Sequence, residues 1–95
     1  MPQIKILIIT DNPDEWIAKI IANVKDYAIR KRYLNSYEID TVLFRFSIRT
    51  SFPDNMRGAC YSCAIIDKPI DKDTEIRVRY CVKTPMMRTD KYFVK

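Results

Sequence analysis

Gln3-Ile4-Lys5-Ile6-Leu7-Ile8-Ile9-Thr10, followed at once by Asp11-Asn12-Pro13-Asp14-Glu15, is the stretch on which the fold turns. The first run is short, β-branched and apolar, with only Lys5 inside it. A strand buried on both faces reads this way, without polar alternation, so this one is expected at the centre of a sheet. The second run is a helix start. Asn12 suits the N-cap, Pro13 the first helical position, where a missing N–H costs nothing, and Glu15 stands three residues after the cap. Downstream, Ile17, Ile20, Ile21, Val24 and Ala28 recur at helical spacing with Tyr27 beside them. Arg30-Lys31-Arg32 suit the negative end of a helix dipole, so the helix is expected to stop near Tyr33 to Ser36.

From Glu38 to Arg49 the period changes to two. Val42, Phe44, Phe46 and Ile48 alternate with Leu43, Arg45, Ser47 and Arg49, which predicts one strand with a buried and a wet face. Residues 51–58 read as a loop, and the segment from Ala59 to Asp67 as an apolar strand ending in a carboxylate. The first strand and this one are expected to run parallel. Glu75 to Lys83 alternates again and is also compatible with a helix. Its β-branched content favours a strand, with Ile76, Val78, Tyr80 and Val82 inward and Glu75, Arg77, Arg79, Cys81 and Lys83 outward. Tyr92-Phe93-Val94 could add an edge strand. The expected fold is α/β: a small mixed sheet of four to five strands with one main helix packed on one face. Residues 1–95 are read as a single domain.

The composition narrows the function. The chain is 47% hydrophobic and 31% charged, and its apolar runs are far shorter than the roughly 20 residues of a membrane-crossing helix, so a cytoplasmic protein without membrane contact is expected. Three cysteines, with no secretory signal, argue for free thiols. Cys60-Tyr61-Ser62-Cys63 runs into a strand rather than opening a helix, so buried thiols are expected there rather than a redox pair. The absence of histidine removes the usual general base, and a single glycine, Gly58, leaves no phosphate-cradling loop. No catalytic residue and no cofactor is therefore assigned.

The net charge is +5, and residues 44–95 carry all of the excess, with eleven Lys and Arg against six Asp and Glu. Arg45, Arg49, Arg77, Arg79 and Lys83, bordered by Arg57, would form one basic surface if both alternating strands shared a sheet. Such a surface suits nucleic acid or an acidic protein surface. The bland explanation is a solvated sheet face with charges that guard an edge. Asp11 and Asp67, each just past an apolar strand, form an alternative site, because the carboxyl ends of adjacent parallel strands converge on the usual ligand crevice. Together, and with Asp14 nearby, they could hold Mg2+.

Two families are similar in part. Lys5-Ile6-Leu7-Ile8-Ile9 with Asp11-Asn12-Pro13-Asp14, and Ala64-Ile65-Ile66-Asp67, resemble the opening and the phospho-acceptor strand of response-regulator receiver domains. Phe44-Arg45-Phe46-Ser47, Phe52-Pro53-Asp54-Asn55-Met56-Arg57-Gly58, Ala64-Ile65-Ile66-Asp67 and Thr84-Pro85-Met86-Met87 resemble the ATPase core of phage terminase large subunits. The terminase resemblance implies a phage or mobile-element origin and makes Asp67 the Mg2+-ordering aspartate. It departs from the family in having Lys68 where the catalytic Glu stands, and in lacking the phosphate loop. The expected function is a non-enzymatic module that binds nucleic acid or a nucleic-acid-handling protein through its basic face and could form a homodimer. The alternatives are an Mg2+-dependent enzyme or phospho-receiver built on Asp11 and Asp67, and a protein inhibitor of a host ATPase or nuclease.

Overall fold

A computed structural model describes residues 3–31, 36–52, 60–83 and 87–88. Its elements are β1 (Ile4–Thr10), α1 (Pro13–Ile21), β2 (Ala28–Lys31), β3 (Ser36–Asp40), β4 (Phe44–Arg49), β5 (Cys63–Asp67), α2 (Lys72–Cys81) and the two-residue β6 (Met87–Arg88). The strands form one mixed sheet in the order β2-β3-β4-β1-β5-β6. β1 is parallel to both of its neighbours, pairing Ile8 with Ile48 on one side and Ile8 with Ile65 on the other. The expected α/β sheet, with its first strand central and parallel to the strand ending at Asp67, is therefore present.

The pleat sorts the core into two layers. On one face Ile8, Ile39 and Ile48 are buried, and Ile6, Phe46 and Ile65 join them against Trp16, Ile17, Ile20 and Ile21 of α1. On the other face Leu7, Ile9, Ala64 and Ile66 are buried beneath Val78 and Cys81 of α2, with Phe52 and Tyr61 filling the margin. Each fully buried isoleucine contributes about 1.5–3 kcal/mol relative to an exposed one.

Four expectations change. α1 stops at Ile21 rather than near Tyr33 to Ser36, and Ala28–Lys31 instead becomes the outer strand β2, paired antiparallel with β3. Asn12 does occupy the N-cap, but its side chain makes no capping bond. The span 38–49 is a hairpin rather than one strand. Thr41 N donates to Phe44 O at 2.8 Å and Phe44 N to Thr41 Oγ1 at 2.9 Å, which puts Val42 at the tip, 78% exposed, instead of inward.

The largest change is that Glu75 to Lys83 is not a strand. Its residues through Cys81 belong to α2, where Asp71 caps the first turn by accepting from Thr74 N at 2.9 Å. Arg79 donates to Glu75 one turn back at 2.9 Å. Val78 and Cys81, three residues apart, point into the core, whereas Tyr80 is 87% exposed. A parallel crossover from β5 to β6 calls for such a helix. The expected edge strand at 92–94 lies outside the described residues.

This core predicts that Ile39→Ala loses about 2–5 kcal/mol in urea unfolding, whereas Val42→Ala changes stability by no more than about 0.5 kcal/mol. A large loss at Val42 would restore the continuous-strand reading.

Candidate functional site

The sequence pointed to two places. The first is the end of β1 and β5, where Thr10 and Asp67 are register partners, so Asp11 and Asp67 do emerge side by side. Each carboxylate already has an assigned task. Asp67 Oδ2 accepts from Trp16 Nε1 at 2.8 Å and from Thr10 Oγ1 at 3.0 Å, which ties α1 to the sheet. Asp11 Oδ1 lies 2.7 Å from Lys68 Nζ, and the same ammonium donates to Thr50 O at 2.8 Å, bridging the ends of β1 and β4. Asp14 stands in the first turn of α1, where a carboxylate suits the helix dipole. An open cleft of about 310 Å3 lies beside this point, lined by Ile9, Thr50, Phe52, Lys68, Ile70 and Thr74 among others. Among the described residues, no group of three or more His, Cys, Asp or Glu is placed to hold a metal ion.

The second place is the charged face. Arg45 and Arg49 lie on β4 with Ser47, on the α2 side of the sheet. The apolar cluster beneath α2 takes its strand residues from β1 and β5 alone, so β2, β3 and β4 continue past it as a polar shelf. Register places Lys5 of β1, Glu38 and Asp40 of β3 and Arg30 of β2 on the same shelf. A small cavity of about 130 Å3 opens there, lined by Lys5, Glu38, Arg45, Ser47, Cys60 and Tyr61.

Asp40 organises the outer part of the shelf. Its Oδ1 accepts from Arg45 Nε at 2.7 Å and its Oδ2 from Arg30 NH2 at 2.6 Å, so one carboxylate links three strands. Hydrogen bonding from Arg45 holds the Asp40 carboxyl below its ordinary value. Among the described residues, Arg49 donates to neutral acceptors, Ser51 O at 3.0 Å and Ser36 Oγ at 3.2 Å. Tyr61 hydrogen-bonds with Ser47 at the shelf's inner margin, and burial pushes its phenol up.

The remaining sequence candidates do not extend one flat surface, because they ride on or beyond α2. Arg77 donates to Phe52 O at 3.0 Å, close to where Arg49 meets Ser51, and Arg79 pairs with Glu75 on the outer side of the helix. Lys83 follows the helix, its N–H donating to Tyr61 O at 3.1 Å. Arg57 and Gly58 lie outside the described residues. Sequence reasoning missed Lys5, Arg30, Glu38 and Asp40. The alternation of Glu38 and Asp40 with Tyr37 and Ile39 was the available signal for the last two.

Two outcomes follow. Asp67→Ala strands the Trp16 indole N–H and lowers stability by about 1–3 kcal/mol. It should also red-shift the emission of Trp16, the chain's one tryptophan; an unchanged spectrum and melting curve would remove Asp67 from that role. Because the folded-state pKa of Asp40 is depressed below 3.8, its stabilisation is present above that pH and fades as pH falls through the folded value. The gap in melting temperature between the wild type and Asp40→Asn should therefore be widest near neutrality and close in acid. No protein-family model, curated protein or solved structure matches this chain.

Proposed function

We propose that the domain is a non-enzymatic module that binds nucleic acid by its phosphate backbone, across the polar shelf formed by β2, β3 and β4. The observation that carries this reading is the sign of the shelf. Among the described residues, Lys5, Arg30, Arg45 and Arg49 stand against Glu38 and Asp40 on a face that α2 leaves open. Both carboxylates sit among these cations, and Asp40 is shared by Arg30 and Arg45. Lys5 and Arg49 stand outside the group that Asp40 holds together, toward opposite ends of the shelf. The half-buried Arg49 guanidinium meets, among the described residues, the uncharged oxygens of Ser51 and Ser36. Backbone contacts of this kind bind without base readout and release condensed counterions, so they weaken as salt rises.

The choice between nucleic acid and an acidic protein rests on geometry. The shelf spreads its cations over three adjacent strands and β1, a surface that several phosphates can meet at once, and among the described residues it offers no apolar centre of the kind that protein partners use. The exposed apolar side chains Ile4, Val42 and Leu43 gather instead at the hairpin end of the sheet.

The test is anisotropy with labelled single-stranded DNA, RNA and duplex DNA across a salt series. Binding should weaken as salt rises, with a log–log slope of about −1.5 to −3 for a single strand, as expected for two to four phosphates neutralised. Arg49→Gln should flatten the slope by about 0.7, while Arg79→Gln, on the outer side of α2, should leave it unchanged. No binding at micromolar protein and low salt would sink the proposal, as would equal effects of the two substitutions.

A further inference from the structure

Of the three cysteines, Cys60 is exposed, Cys63 is half-buried and Cys81 is buried. The sheet separates them. Cys63 pairs in register with Ile6, whose side chain packs in the α1 layer. Cys81 lies in the α2 layer, and Cys60 lines the shelf cavity on that same side. The adjacent members of the Cys-x-x-Cys run, Cys60 and Cys63, are thus on opposite faces.

Cys60 and Cys81 are instead neighbours across a backbone bridge. Tyr61 and Val82 form an isolated parallel bridge, in which Tyr61 N donates to Cys81 O at 2.7 Å and Lys83 N to Tyr61 O at 3.1 Å. Because the Tyr61 N–H belongs to the peptide that joins it to Cys60, its bond to Cys81 O sets the backbone of Cys60 against that of Cys81, the last residue of α2. The Cys81 thiol is pushed up chiefly by burial, and further by the Cys60 thiol, which is therefore within electrostatic reach.

We propose that Cys60 and Cys81 form a reversible redox-modification site, in which a low-molecular-weight disulfide such as oxidised glutathione converts the two thiols into an intramolecular disulfide. The exposed Cys60 reacts first. Its thiolate attacks one sulfur of oxidised glutathione, the glutathione S–S bond breaks, and one glutathione thiolate leaves. Cys81 then loses its proton to solvent and attacks the Cys60 sulfur, expelling the second glutathione thiolate. Two protein thiols are oxidised, one disulfide is formed, and two molecules of glutathione are produced. The bond closes a loop that contains β5 and most of α2, and so fastens the end of the helix to the strand it covers. The inference does not rest on nucleic-acid binding.

The folded wild-type protein is incubated with oxidised glutathione, and free thiols, intact mass and non-reduced tryptic peptides are measured. The expected product is a monomer lighter by two hydrogen atoms with one free thiol, in which the 58–72 peptide, uncut at Lys68 because Pro69 follows it, is joined to the 80–83 peptide. Its melting temperature should exceed that of the reduced form and return to it on adding dithiothreitol. Cys63→Ser, which leaves both partners in place, should oxidise to a monomer with no free thiol, and Cys60→Ser should form no internal bond. A stable glutathione adduct on Cys60, a bond that involves Cys63, linkage between chains or three unreacted thiols would each overturn the proposal.

Discussion

The parallel pairing of β1 with strands on both sides is the constraint from which the rest follows. A parallel neighbour cannot be reached by a tight turn, so the chain must leave the sheet and return. After β1 it does so through α1, then builds the β2–β3 hairpin before entering β4; after β5 it does so through α2. The helices lie on opposite faces because Ile6 and Ile8 need cover on one side of β1 and Leu7 and Ile9 on the other. Neither helix is long. α2, at ten residues, meets β1 and β5 and goes no further, which leaves the same side of β2, β3 and β4 to polar residues. Among the described residues, the shelf is the part of that face of a six-stranded sheet that α2 does not reach.

The same economy shows at Asp67. A carboxylate beside the most buried strand is costly unless donors meet it. Here the donors come from two elements, Thr10 of β1 and Trp16 of α1, so satisfying the charge also fixes how the helix sits on the sheet. Thr10 has a further role, since Asn12 N donates to its hydroxyl at 3.0 Å and shapes the turn into α1.

What could be read from the chain depended on whether local pattern and tertiary packing agreed. β1, the start of α1 and the strand ending at Asp67 carry one signal each, and their parallel arrangement follows from the apolar character of both faces. Glu75 to Lys83 carries two. Ile76, Val78, Tyr80 and Val82 alternate as a strand would, while Val78 and Cys81 share a helical face, and β-branched residues favour the wrong choice. The decision lies in the Asp71 cap, the Glu75–Arg79 pair and the apolar side chains of Leu7 and Ile9 that α2 buries, the last of which are remote in sequence. The hairpin at Thr41 was hidden for another reason. Its turn is closed by a threonine hydroxyl and has no glycine, so the period-two pattern seemed to run through it. The basic-surface expectation inherited both errors: it kept Arg45 and Arg49 on the sheet, borrowed Arg77 and Arg79 from a helix, and overlooked Lys5 and Arg30.

The sheet face beyond α2 is polar among the described residues, but polar need not mean positive. Edge protection and solvation would be served as well by equal numbers of acids and bases, and β3 supplies Glu38 and Asp40 to that end. Asp40 shows the pattern that solvation and register require, because one carboxylate holds Arg30 and Arg45 across the strands. Lys5 and Arg49 add charge beyond it. Arg49 is anchored through neutral oxygens of Ser36 and Ser51, an arrangement that orients a guanidinium without cancelling it. Those two bonds tie β3 to the segment that follows β4, and the charge they leave uncancelled is what the proposed binding of an anionic partner draws on.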